Sequence, residues 1–257
     1  MPIPSSARAT RAALFLSLAP LGAAGCQSSG GRSPADIQAD RQMSQALEAS
    51  PHMTLTPVRP ATHADSVRAA GVADTLRRAI ARYADVHAAE ADGFRPFAPN
   101  AKAQQVLHYT RYGWAARATF SFDPAKPTSL LYRREPDGSL RLIGAMYTAP
   151  ARASLAELDR RVPLSIARWH LHTNVCIPPL WRRARWSEMR DGKPVFGPLS
   201  PIATREACEA VGGRFRPKVF GWMVHANVLD GDDPAVIWGR SHDGMSHGMD
   251  HGHGPES

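Results

Sequence analysis

The histidines of this chain are the residues whose type and spacing could do chemistry. His170 and His172 lie two positions apart in the run Trp-His-Leu-His. On a β-strand, such residues point to the same face and lie close enough to bind one ion. His225, on a second predicted strand, would supply a third imidazole, and His108 a fourth. Because neutral imidazole binds zinc and copper through a ring nitrogen, the sequence predicts a copper or zinc site here.

A second group of metal-ligating residues forms the C-terminal tail after Arg240. Histidine, methionine and aspartate alternate there with glycine and serine, a composition that cannot build a hydrophobic core. Imidazole suits Cu(II), zinc and nickel, whereas thioether sulfur suits Cu(I). The tail is therefore either a flexible copper-binding arm or a compositionally biased segment without a function. Its candidate ligands are His242, His247, His251, His253, Met245 and Met249.

Two other interpretations of the strand histidines stay open. Three histidines leave a coordination position for water, which a metalloenzyme could activate for hydrolytic or oxidative chemistry. Alternatively, the histidines are partly buried polar residues of a structural or partner-binding protein without metal. Arg168 lies on the predicted face of His170, and its charge opposes a cation unless an acid or an anionic ligand lies nearby. No catalytic residue is identified, because the sequence offers no persuasive nucleophile triad or glycine-rich phosphate loop.

A sheet must position these histidines, and the sequence after residue 106 predicts one. Two strands would carry His170, His172 and His225, namely Ile166–Thr173 and Val219–Leu229. Pro-Asp-Gly at 136–138 predicts a hairpin, because proline fixes one turn dihedral and glycine accepts a positive one. Short aromatic or branched runs separated by turn residues predict four further strands, Val106–Thr110, Ala115–Phe122, Ser129–Arg134 and Leu140–Tyr147.

Helical patterns precede and interrupt the strands. Apolar residues recur every three or four positions from Val72 to Val86, which predicts a long helix with Asp74 as its N-cap and Gly93 at its end. The capping-box spacing at 154–157 predicts a short helix, and another is predicted over Thr204–Val211. The predicted fold class is α+β, a single domain with a mainly antiparallel sheet, one long N-terminal helix and short helices.

The N-terminus predicts export and lipid anchoring. Arg8 and Arg11 precede a weakly apolar run that is too short to span a bilayer, as in a secretory signal. The run Ala-Ala-Gly-Cys at 23–26 resembles a bacterial lipobox, which implies cleavage after residue 25 and lipid attachment to Cys26. Gln27 follows, which implies sorting to the outer membrane, facing the periplasm. Ordinary soluble secretion is the alternative.

The remaining cysteines fit this compartment. With Cys26 lipidated, Cys176 and Cys208 remain as an even pair in an oxidising space. A disulfide between them would contribute roughly 3–4 kcal/mol by the chain-entropy estimate. The alternative is that Cys176, which lies close to His170 and His172 in sequence, ligates a metal as a thiolate.

The chain divides into a signal peptide at 1–25, the lipidated cysteine and a flexible tether at 26–61, a globular domain at 62–240 and a disordered tail at 241–257. The formal net charge is +8. Since the arginines are scattered and exported proteins rarely meet nucleic acid, the basic surface better suits anionic lipid or polysaccharide. The expected partners are thus a membrane, through the lipid anchor, and a metal ion, with no nucleic acid and no protein partner that the sequence can name.

Residues 80–175 resemble a family of uncharacterised secreted bacterial proteins. Members usually have Gly-Tyr-His-Tyr where this chain has Val-Leu-His-Tyr at 106–109, and a C-terminal strand bearing histidine and tryptophan, loosely matched at 170–176 or 222–227. The resemblance implies one folded unit after the tether and no activity. Together with the histidines, the sequence predicts a metal-binding lipoprotein of the cell envelope. The other matching stretches are Ala81–Val86, Ala91–Phe94, Phe122–Pro124, Leu130–Tyr132 and Asp137–Leu142.

Overall fold

Antiparallel β-structure organises the computed structural model, which describes residues 49–57, 59–97 and 106–239. All strands except β7 and β8 form one seven-stranded sheet in the order β1-β6-β9-β5-β4-β3-β2, and those two pair separately. In these ranges no helix has the length and apolarity needed to cross a membrane. The strands are β1 Met53–Leu55, β2 Arg95–Pro96, β3 Val106–Thr110, β4 Ser129–Arg134, β5 Leu140–Ala149, β6 His170–Ile177, β7 Met189–Arg190, β8 Lys193–Pro194 and β9 Arg214–Ala226.

Helices connect the strands and flank the sheet. The first of them begins at Thr62, whose side chain forms a capping box with Asp65. Two 3-10 helices, Ala81–Ala84 and Arg183–Ser187, add single turns. The α-helices are α1 His63–Ile80, α2 Val86–Ala91, α3 Tyr112–Ala118, α4 Leu155–Arg161, α5 Arg205–Ala210 and α6 Pro234–Gly239.

The predicted α+β fold class is wrong, because the large antiparallel sheet dominates the molecule and the predicted long helix ending at Gly93 is absent. α1 ends at Ile80, and Tyr83 leaves helical geometry with φ −92° and ψ 15°. Asp85 is extended, and its carboxylate accepts a hydrogen bond from the backbone N–H of His87 at 2.9 Å. Aspartate caps a new helix more favourably than it continues an old one, so the apolar spacing runs on while the helix does not.

One predicted strand is also wrong. Residues 115–122 lie partly in α3, where three alanines favour the helix over a strand. The guanidinium of Arg111 lies 4.4 Å from the ring centroid of Trp114, which packs edge-on against Phe94 at 5.4 Å. Trp114, which directly precedes the predicted strand, therefore anchors a helix to the core.

Other local predictions are confirmed. Gly138 has φ +85° in the turn between β4 and β5, as the Pro-Asp-Gly hairpin requires. Ser154 and Glu157 form the predicted capping box of α4. The first histidine strand begins at His170 rather than Ile166, because the N–H groups of Ile166 and Ala167 bond to the carbonyl of Pro163 in a turn.

The two faces of the sheet carry different side chains. One face packs against α1 and forms the main core, with Leu76, Tyr132 and Trp169 fully buried. The opposite face carries a small apolar cluster that includes Leu131 and Ile143, together with the strand histidines predicted as ligands. Strand alternation sends neighbouring residues to opposite faces, so one sheet builds both environments.

The predicted disulfide between Cys176 and Cys208 is confirmed. It joins β6 to α5, and both cysteines are buried with Val195 and Phe196. Gly213 must lack a side chain here, because a Cβ atom would overlap the sulfur of Cys176. The disulfide excludes Cys176 as a thiolate ligand and fixes the C-terminal half of the strand that carries two of the histidines.

Candidate functional site

Three strands bring four of the predicted ligand residues together on one face of the sheet. β3 carries His108, β6 carries His170 and His172, and β9 carries His225. The ring of His225 lies between two others, with centroid distances of 5.3 Å to His108 and 5.2 Å to His170. The ring of His172 lies 5.5 Å from that of His170. These four residues are called the histidine cluster below.

The closest approach in the cluster joins strands that are not neighbours. Nε2 of His108 lies 3.5 Å from Nε2 of His225, although β4 and β5 separate their strands. Three strand spacings correspond to roughly 14 Å in a flat sheet. The sheet must therefore coil so that this face is concave and the two side chains lean toward each other.

A glycine permits the close backbone approach beside His225. A Cβ atom at Gly144 of β5 would overlap the backbone of Ala226 and Asn227, at the end of β9. Gly144 also lies opposite Leu131, at the point where the register between β4 and β5 shifts. Bulges of this kind bend strands and are common beside functional sites. The bend places His225 over the face that His108 occupies.

Burial determines the protonation state of two cluster histidines. Burial, followed by the neighbouring His225 and His172, lowers the pKa of His108 to about 3. Burial is also the main cause that lowers the pKa of His172 to about 4. Both imidazoles are therefore neutral at physiological pH and keep a lone pair on one ring nitrogen, which is the form that binds metals.

A fifth histidine, His52, was missed by the sequence reasoning. It immediately precedes β1, which pairs with β6, and its side chain is only 4% exposed. Its Nε2 lies 2.6 Å from the carbonyl oxygen of Ser200, and since a carbonyl only accepts, Nε2 carries the proton. His52 also hydrogen-bonds through its backbone to His172. The residue lies within the predicted tether, and only the short alternation at 52–56 could have indicated a strand.

Two buried ring nitrogens at this site lack a hydrogen bond among the described residues, which is energetically unfavourable. Nδ1 of His172 and Nδ1 of His52 are buried and have no hydrogen-bond partner within the described ranges. Leaving a buried polar atom unsatisfied costs roughly 1–3 kcal/mol. Such groups in a folded protein call for an explanation, and a bound ion or water is one.

The other predicted site residues lie elsewhere. Arg168 precedes β6, and its Nε donates to the carbonyl of Thr56 at 3.3 Å. Cys26, the tail histidines and Met245 and Met249 lie outside the described residues. A surface pocket lined by Arg117, Asp123 and Tyr147, among others, contains none of the histidines.

The cluster is not a ready-made cation cage. Within residues 49–57, 59–97 and 106–239, no group of three or more His, Cys, Asp or Glu side chains is arranged to hold a metal ion. Nε2 of His108 and Nε2 of His225 lie 3.5 Å apart, which is the separation of two ligands rather than of a complete set. A third ligand would need a side-chain rotation.

The fold and the cluster define a β-sheet protein with buried histidines on one concave face. Comparisons with known protein families, with curated proteins and with solved structures return no match. The resemblance of residues 80–175 to a secreted family therefore stays a prediction, and the function must be argued from the site.

Proposed function

We propose that this protein is a metal-binding lipoprotein of the cell envelope that holds a copper or zinc ion at the histidine cluster. The observation that carries the proposal is the pair of histidines from β3 and β9, whose Nε2 atoms lie 3.5 Å apart in a partly buried setting. The lipobox at Cys26 and the apolar run before it support the cellular location.

The separation of that pair suits a shared ion. Metal–nitrogen bonds of about 2.0–2.1 Å at a tetrahedral angle place two ligand atoms about 3.3–3.4 Å apart. His108 and His225 need almost no movement to reach this geometry. The ring of His170 lies 5.2 Å from that of His225, so a rotation of its side chain can add a third nitrogen.

The energetics of the face favour a ligand over a purely structural role. Leu131 and Ile143 show that this face accommodates buried apolar side chains. A histidine buried on this face loses the hydration of its ring nitrogens. Nδ1 of His172 gains no hydrogen bond in return among the described residues. A metal ion would use ring lone pairs that the protein leaves unused.

Binding suits the site better than catalysis. The rings of His170, His172 and His225 are at most 6% exposed, which favours retention of an ion over exchange of substrate. His108 adds a fourth imidazole and would close the position that a metalloenzyme keeps open for water. The tail, if it binds copper, would concentrate ions near the domain.

The test uses a full-length protein whose tail cannot compete for metal. In this tail-silenced protein, the four tail histidines are replaced by asparagine and Met245 and Met249 by leucine. Titration with zinc against a chromophoric chelator should give one tight equivalent. His225→Phe, which keeps a ring but removes both nitrogens, should weaken binding at least about tenfold, a loss of about 1.4 kcal/mol.

A matched control is His63→Gln on the exposed surface of α1, which should bind as the parent does. Circular dichroism should show the same fold for all three proteins. Undiminished zinc binding by His225→Phe, or binding of neither zinc nor copper by the parent, would contradict the proposal.

A further inference from the structure

Methionines accompany the histidine cluster across the strands. In an antiparallel sheet, register partners lie on the same face with Cβ atoms about 4.5–5.5 Å apart. Three histidines of the cluster have methionine in that position. The pairs are His172 with Met53, His170 with Met223 and His225 with Met146.

This pairing is more than methionine filling a core. The chain has only eight methionines in 257 residues, and three of them occupy these three positions. Met146 and Met223 are buried beside Leu131 and Ile143, at 7% and 6% exposure. Methionine does fill irregular gaps in cores. Because a methionine lies opposite each of three clustered histidines, the pairs instead indicate that these side chains act together as ligands.

Imidazole and thioether together form a soft set of donors. Thioether sulfur selects Cu(I), whereas zinc in proteins prefers four tetrahedral ligands drawn from nitrogen, thiolate and carboxylate. Cu(I) accepts fewer ligands than zinc. A face with one histidine pair at ligand separation and methionines beside it therefore fits Cu(I). Such a donor set agrees with the finding that, among the described residues, no three His, Cys, Asp or Glu side chains are arranged around one ion.

The surroundings also favour a monovalent ion. The desolvation cost of an ion in an apolar interior rises steeply with its charge. The cluster is backed by Leu131 and Ile143, which offer no compensating charge. A singly charged ion loses less hydration here than a doubly charged one.

We infer that the histidine cluster binds Cu(I) in preference to zinc, with the thioether sulfurs of Met146 and Met223 as additional ligands. The inference rests on the proposed metal-binding function and names its ion. No redox step is involved, because Cu(I) is bound and released without changing its oxidation state.

The test measures Cu(I) and zinc separately on the full-length, tail-silenced protein. Under anaerobic conditions, competition with a chromophoric Cu(I) chelator should give one equivalent bound more tightly than zinc. The double variant Met146→Leu with Met223→Leu conserves side-chain volume and removes both sulfurs. It should weaken Cu(I) binding at least about tenfold, a loss of about 1.4 kcal/mol, and leave zinc binding unchanged.

Met189→Leu is the matched control, because Met189 lies on β7 with 59% exposure. It should leave both affinities unchanged, and copper X-ray absorption should show sulfur ligands in the parent but not in the double variant. Equal Cu(I) affinity in the parent and the double variant, with zinc still bound, would overturn this inference alone. Binding of neither ion by the parent would overturn the proposed function as well.

Discussion

Replacing His172 by leucine should stabilise the metal-free protein. The ring is buried on β6, and its Nδ1 has no hydrogen-bond partner among the described residues. Its hydrogen bond to the backbone of His52 acts to raise the pKa of His172, so the acceptor is the carbonyl oxygen. That oxygen also accepts from the N–H of Thr173 at 3.0 Å and keeps a partner when the ring is removed. Leucine therefore removes an unsatisfied group without leaving the His52 carbonyl alone.

The magnitude at neutral pH follows from two opposing effects. Removing the buried unsatisfied nitrogen gains roughly 1–3 kcal/mol. The imperfect shape match of leucine costs less than about 1.5 kcal/mol. The free energy of unfolding at about pH 7.5 should therefore rise by about 1 kcal/mol in His172→Leu.

The stabilisation should grow in mild acid. Burial lowers the pKa of His172 in the folded protein to about 4, from the ordinary value of 6.5. Between about pH 6.5 and 4, His172 is protonated in the unfolded chain but neutral in the folded protein. The free energy of unfolding of the parent is therefore unaffected by this group above about pH 6.5 and decreases as the pH falls from 6.5 toward 4. At about pH 5 the loss amounts to about 2 kcal/mol, which the leucine variant avoids.

Urea unfolding with a metal chelator present measures both values. The expected difference between variant and parent is about 1 kcal/mol at about pH 7.5 and about 3 kcal/mol at about pH 5. The control His63→Gln should stay within about 0.5 kcal/mol of the parent, as is usual for surface changes. If His172→Leu is less stable than the parent by the same amount at both pH values, the ring is a structural residue and the reasoning fails.

Three other perturbations test separate parts of the molecule. Gly213→Ala should lower the free energy of unfolding by about 1–3 kcal/mol, because its Cβ would overlap the disulfide. Gly71→Ala, where a Cβ meets open space, should not lower it. Equal melting temperatures for Gly213→Ala and the parent would refute this prediction. Cys26→Ser should abolish lipid labelling and release the protein from membranes, which fractionation would show. Truncation after Arg240 should leave the metal-free melting temperature unchanged and remove the weaker copper binding; identical copper isotherms would mean an idle tail.

Local signals in the sequence predicted local structure well. The Pro-Asp-Gly hairpin and the Ser154 capping box depend on residues within a few positions of one another, and both are confirmed. The helix through Tyr83 failed because apolar spacing describes which face is buried, not whether the backbone continues. Asp85 shows the limit, since its side chain begins a new helix where the spacing alone would extend the old one.

The candidate site could be predicted only in part for a related reason. The spacing of His170 and His172 is a local property of one strand, and their rings lie near each other. The proximity of His108 to His225 depends on the coiling of the sheet across two intervening strands and on Gly144, which no local pattern encodes. His52 was missed because its three-residue strand is too short to give a periodic signal.

Nδ1 of His172 is a buried polar atom without a hydrogen-bond partner among the described residues, as are Nδ1 of His52 and Nε of Arg134. The carboxylate of Asp65 shows how a buried polar group is usually satisfied: it accepts from Arg68 and Ser165, which hold its pKa well below the usual range. The face with His172 instead keeps buried imidazole where apolar side chains would fit. Places where a chain departs from the usual packing rules are expected at functional sites. The imidazole nitrogen of His172 that is unpaired within the described ranges is thus an argument for the ligand proposed above.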